Sequence, residues 1–102
     1  MADYTTNKAG QPVFIKDPNA TLDYSFDFTA WLQQANDAIA SVLAIPTGCT
    51  LARAADFTGG VVTAFVSGGV VDEDASVTFR VTTTSQPPRV DDRTVILKIR
   101  ER

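Results

Sequence analysis

Carboxylates, cations, hydroxyls and one thiol are the side chains able to do chemistry in this chain, and histidine is absent from it. That removes the usual general base, the usual proton shuttle and the commonest metal ligand. Neither a Ser-His-Asp nor a Cys-His arrangement can be built. The densest carboxylates are Asp72-Glu73-Asp74 and Asp91-Asp92. Clustered oxygens suit a hard cation such as calcium. A calcium loop, however, spaces its ligands at alternate positions around a glycine and ends on a distal Glu, and this run does not continue that way. A solvated loop is the simpler reading. Asp23 and Asp27 lie four apart on one strand, too far along it for an acid–base pair. Gly59-Gly60 and Gly68-Gly69 lack the Lys and helix of a phosphate-binding loop. The expectation is a protein that is not an enzyme, with no catalytic residue, no cofactor and no metal.

Cys49 is the single cysteine, so no internal disulfide forms. No Lys or Arg is closer in sequence than Arg53, whereas a reactive thiol wants a basic setting. It reads as a small apolar residue in or near a strand.

Nine Lys and Arg against twelve Asp and Glu give a net charge of −3. A nucleic-acid partner, which favours a strongly basic domain, is not expected. The charge is uneven. Residues 1–88 carry four basic and nine acidic groups, and residues 89–102 carry five and three. The end of the chain is the only basic zone. No apolar run reaches membrane-spanning length, so no membrane partner is expected. The start, MADYTTNKAGQPV, lacks the layout of a signal peptide, which implies synthesis in a cytoplasm.

These groups sit on a scaffold of alternating strands. Val61–Val66, Ser76–Thr84 and Arg93–Arg100 are read as period-two alternations of apolar and polar residues, the pattern of strands with one buried face. Thr21–Phe28 alternates as cleanly. Val13–Lys16, Ala38–Ile45 and Thr50–Ala54 read as further strands. Asp17-Pro18-Asn19 is a turn, Asp56–Gly60 a loop, and Thr29–Asn36 a short turn or single helical turn capped by Thr29 with Trp31 and Leu32 inward. Seven strands at these intervals predict an all-β fold, an immunoglobulin-like antiparallel β-sandwich. Residues 1–12 read as a flexible N-terminal arm and residues 13–102 as a single domain. Val77, Phe79, Val81, Val95, Leu97 and Ile99 are predicted core, joined by Phe26, Phe28, Trp31, Val61 and Phe65. Thr78, Arg80, Thr82, Thr94, Lys98 and Arg100 should point outward. If the last two strands pair antiparallel, Arg80, Lys98 and Arg100 share a solvent face. Ordinary solvated charge explains that face; a docking patch for an acidic partner is the sharper reading.

Several segments also carry a resemblance. Lys16-Asp17-Pro18, Leu22-Asp23-Tyr24 and Trp31-Leu32 are followed by Ser67-Gly68-Gly69, Thr82-Thr83-Thr84 and Arg89-Val90-Asp91-Asp92-Arg93, which leads into a basic C-terminal strand. In that order they resemble a family of small proteins of tailed bacteriophages and prophages, the fibre–tail adaptor or minor virion structural proteins. Phe28 and Phe65 stand where the family pattern has tryptophan, and Pro87-Pro88 where it has glycine. The resemblance implies a protein of the virion, made in the bacterial host cytoplasm and present in multiple symmetric copies. It implies other virion proteins as partners: tail, fibre or head–tail connector, or alternatively the major capsid protein. Arg80, Arg89, Arg93, Lys98 and Arg100 are the candidate partner-binding residues. A tail adaptor is the leading function, a capsid decoration or cement protein the alternative. A carbohydrate-binding module is the third reading, with Tyr4, Tyr24 and Trp31 as its aromatic candidates.

Overall fold

The computed structural model describes residues 4–8 and 10–101, which form nine strands and one short helix. The strands are β1 (Tyr4–Thr6), β2 (Pro12–Lys16), β3 (Leu22–Asp27), β4 (Ile39–Thr47), β5 (Thr50–Leu51), β6 (Asp56–Thr58), β7 (Val61–Ser67), β8 (Asp74–Thr83) and β9 (Val90–Ile99). Helix α1 spans Thr29–Gln33. One sheet runs β1-β2-β9-β8-β4, and the other runs β3-β7-β5 with β6 also on β7. The two pack as a sandwich, so the predicted all-β class holds. Two expected features change. There are nine strands among the described residues rather than seven, because Tyr4–Thr6 and Asp56–Thr58 also pair. One pairing is parallel, that of β2 with β9.

The longest ladder is β8 with β9, nine rows from Asp74↔Lys98 to Thr82↔Val90. Val77, Phe79 and Val81 of β8 and Val95, Leu97 and Ile99 of β9 are fully buried, as their spacing predicts. β3 turns Tyr24 and, beyond its end, Phe28 inward, while Phe26 and Trp31 pack half-buried against the core. On β7 the face is the opposite of the expected one. Val62, Ala64 and Val66 are buried, while Val61 is 37 % exposed and Phe65 is half-buried. VVTAFV is apolar on both faces, so period two does not choose between them. The small set packs into the core between the sheets, and the Phe65 ring lies under the Arg53 guanidinium, whose carbon is 4.4 Å from the ring centroid.

The turns follow from local chemistry. Asp27, not Thr29, serves the start of α1: its carboxylate accepts the Thr29 N–H at 2.8 Å. The hydroxyl and N–H of Thr29 hold the Asp27 pKa below its usual value. β4 runs through Pro46, past the predicted end at Ile45. It is an edge strand, where the missing proline N–H costs no ladder bond. The segment Asp56–Gly60, expected as a loop, is a hairpin arm: β6 pairs with β7 from Asp56↔Thr63 to Thr58↔Val61. Within the segment read as an arm, Tyr4–Thr6 pairs with β2 in the register Tyr4↔Phe14 to Thr6↔Pro12; Met1–Asp3 and Ala9 lie outside the described residues.

Gly69 shows how tightly the β7–β8 connection is seated. Its φ is +112°, and a Cβ there would stand 2.7 Å from the Ile99 side chain. Gly59 has φ +59° with open space around it. Gly69→Ala should therefore lose about 2–4 kcal/mol, combining left-handed strain with overpacking. Gly59→Ala should lose about 1–2 kcal/mol, from backbone strain alone. Urea denaturation of the two variants checks the difference.

Candidate docking surfaces

The sandwich carries its polar chemistry on its faces and at its two loop-bearing ends. At one end β2 and β9 finish, the 17–21 segment crosses between sheets, and the 68–73 loop crosses back. Lys16 lies fully buried there, and its Nζ donates to the Asp17 carbonyl at 2.9 Å and the Gly68 carbonyl at 2.8 Å. Burial pushes its pKa below the usual lysine value, with Cys49 and Asp17 opposing. One ammonium thus joins Lys16-Asp17-Pro18 to Ser67-Gly68-Gly69, with Lys16 and Gly68 52 residues apart in the chain. Asp17 also accepts the Asn19 N–H at 2.8 Å, fixing the turn. Cys49 is half-buried beside this end, and burial pushes its thiol pKa up, away from the reactive thiolate.

The other end is closed by Arg89. Its Nε donates to Asp37 Oδ2 at 3.1 Å and its guanidinium carbon stands 4.2 Å from the centre of the Trp31 ring. The Asp37 side chain is 2 % exposed. Burial opposes its ionisation. The Ala38 N–H, the hydroxyls of Thr83 and Ser85 and the Arg89 guanidinium outweigh that and hold its carboxyl well below the usual carboxylate range. The Arg89 N–H also donates to Thr83 Oγ1 at 2.8 Å. Trp31, Thr83 and Arg89, which stand in three separate segments of the family pattern, meet in one clamp. Asp37 was not legible as its fourth member: nothing in the run NDA marks it, and the only signal was an unexplained Arg far down the chain.

The five cations proposed as partner-binding do not form one patch. Arg80 makes a two-pronged pair with Asp92, at 2.9 and 3.0 Å. Arg93 pairs with Asp91 and lies 6.0 Å from the Phe28 ring centre. Arg100 reaches Asp74 at 3.6 Å and donates to the Ile99 carbonyl at 2.7 Å. Lys98 is exposed opposite Asp74 in the ladder, with no ion pair among the described residues. Arg80 and Lys98 do share the outer face of the larger sheet, six positions apart along it, about 20 Å. Arg89 belongs to the clamp. The Asp91-Asp92 pair is split by the strand itself: Asp92 points out to Arg80 and Asp91 lies on the other face with Arg93. Asp72, Glu73 and Asp74 are exposed around the 68–73 loop.

A groove of about 350 Å³ lies beside β2, lined by Gly10, Gln11, Pro12, Phe26, Asp92, Arg93 and Thr94. Its charged groups are the members of the ion pairs just described. No described helix is long and apolar enough to cross a membrane.

This arrangement defines a small β-sandwich protein whose described titratable groups form clamps and surface pairs, two of them, Asp92 and Arg93, beside the groove. The chain belongs to the Gp77 family, described as podophage GP4 fiber-tail adaptor protein gp77, whose model matches residues 16–98. The match begins at the buried Lys16 and runs through both clamps. It makes the chain a phage virion structural protein of the adaptor kind. No curated protein and no solved structure matches the chain.

Two outcomes test the clamps. Lys16→Met keeps the volume but takes the ammonium away from the Gly68 and Asp17 carbonyls, of which Asp17 keeps the Ala20 N–H at 3.1 Å, and should cost about 1–3 kcal/mol in urea unfolding. Asp37 has a folded pKa below its unfolded value, so its stabilisation is full above about pH 4 and is lost as pH falls toward the folded pKa. Asp37→Asn should be less stable than the wild type at pH 7. The gap should narrow steadily below about pH 4. Thermal melts across pH 2–7 read this directly.

Proposed function

We propose that the protein is a non-enzymatic adaptor that attaches fibre or tail components to the virion. The observation that carries this reading is the family match across residues 16–98, which takes in both clamps and most of the core. The fold suits the role. A sandwich with its two ends locked by the buried Lys16 and the half-buried Arg89 presents fixed faces and edges, and a fixed surface loses little entropy on docking. β3 and β4 are edge strands of the two sheets, open to an added strand from a neighbour. The strand order supports an immunoglobulin-like assignment: β3-β7-β5 forms one sheet, and β4, β8 and β9 lie together in the other.

The partners in this reading are other virion proteins of the tail or fibre, and the chain acts in several symmetric copies after synthesis in the host cytoplasm. Repetition around the particle turns a modest contact into high avidity. Of the five cations, Arg80, Lys98 and Arg100 are the ones on the outer side of the larger sheet, where contacts within the assembled particle can use them. Arg93 borders the groove, and Arg89 contributes through the shape of the end it closes. Nucleic acid and membrane are not among the partners.

Quantitative mass spectrometry of purified particles of the encoding phage, scaled to the major capsid protein, tests the role. The expected result is a small copy number matching a symmetry of the tail. Abundance comparable to the major capsid protein would replace the adaptor with a decoration protein. Complete absence from particles would remove the virion role altogether.

A further inference from the structure

The outer face of the larger sheet has a charge pattern that fits itself. In the β8–β9 ladder Arg80 stands opposite Asp92 at one end of the face, and Asp74 stands opposite Lys98 at the other. Arg80 and Asp74 lie on β8, and Asp92 and Lys98 on β9. The four charges therefore sit at the corners of a rectangle with alternating signs. Midway between the two charged rows is the row Val77↔Val95.

A two-fold axis lying in the plane of the face, across the strands and over that row, lays β8 of one copy on β8 of another with its direction reversed. Arg80 then faces Asp74 of the second copy, and Asp92 faces Lys98. All four corners meet unlike charges, and each ion has an opposite sign beside it and across from it. Between the charged rows the surface is uncharged. Thr78 and Ser76 oppose each other, Thr94 opposes Ile96, and Ile45 of β4 opposes Thr47. The Thr78 and Thr94 hydroxyls are already bonded to each other at 2.9 Å, so their approach to another protein leaves no hydroxyl pair to be broken. Leu43, 56 % exposed in the row of Arg80, adds apolar area at the rim.

We propose that this face is a docking surface for a second copy of the chain, packed sheet on sheet about that axis. The paired outer faces of β4, β8 and β9 measure roughly 15 Å by 30 Å. This is smaller than the about 800 Å² per partner of a standard interface. The dimer is therefore weak when free in solution, and is strengthened where the copies are held close together. The inference assigns a partner to Arg80 and Lys98 and does not rest on the adaptor role, since the purified chain alone tests it.

Sedimentation velocity of the purified full-length protein, from about 1 µM to about 1 mM, reads the association constant. The expected result is reversible dimerisation that weakens with added salt. A second form, Arg80→Asp with Asp92→Arg, keeps the pair within the chain but puts like charges opposite each other in the dimer. It should weaken dimerisation about tenfold or more. Adding Asp74→Lys and Lys98→Asp restores the alternating pattern with the signs of the four corners inverted, leaving Arg100, the neighbour of Asp74, unchanged, and should restore dimerisation. Thermal melts confirm that each form is folded. A wild-type monomer throughout that range, or dimerisation unchanged by the first exchange, would overturn the proposal.

Discussion

The structure depends on the period-two constraint of one ladder. β8 and β9 pair over nine rows, and each residue is committed to one face or the other. On the inner face this gives a block of fully buried Val, Phe, Leu and Ile. On the outer face the same registry places Arg80 beside Asp92 and Lys98 beside Asp74. Core and surface charge pattern are thus set by a single register. A slip of one residue would bury the charges and expose the core. β4 and β2 flank this ladder, and β3 and β7 close the sandwich over its apolar side.

The ladder cannot close the ends, where the chain crosses from sheet to sheet. A buried lysine and a half-buried arginine do that. Lys16 has carbonyl acceptors from two crossings, and Arg89 has a buried carboxylate, a ring face and a hydroxyl. Leaving the partners of such groups unsatisfied costs more than a surface pair contributes. Both residues fall in the segments that carry the family resemblance. Their geometry gives those segments a structural reason: they hold the two ends of the scaffold on which any docking surface must sit.

Much of this was legible in the sequence, and the failures have definite causes. Thr21–Phe28 and Ser76–Thr82 alternate strictly and Thr94–Arg100 departs only at Ile96, so element, face and core followed from them. VVTAFV does not alternate in polarity, and its face was misread. Asp56-Phe57-Thr58 is too short and too exposed to show a strand pattern, and it pairs only because the turn Gly59-Gly60 returns it to β7. Long-range polar contacts were not readable at all. Nothing local links Lys16 to Gly68 or Asp37 to Arg89, 52 residues apart in both cases. For the same reason a basic C-terminus suggested one cationic patch, whereas folding gives most of those cations a carboxylate of their own.

The most direct test of the adaptor account is cross-linking mass spectrometry on intact virions of the encoding phage, which identifies the neighbours of this chain where it works. The account predicts cross-links from its exposed lysines to tail or fibre proteins. Cross-links confined to the major capsid protein would contradict it.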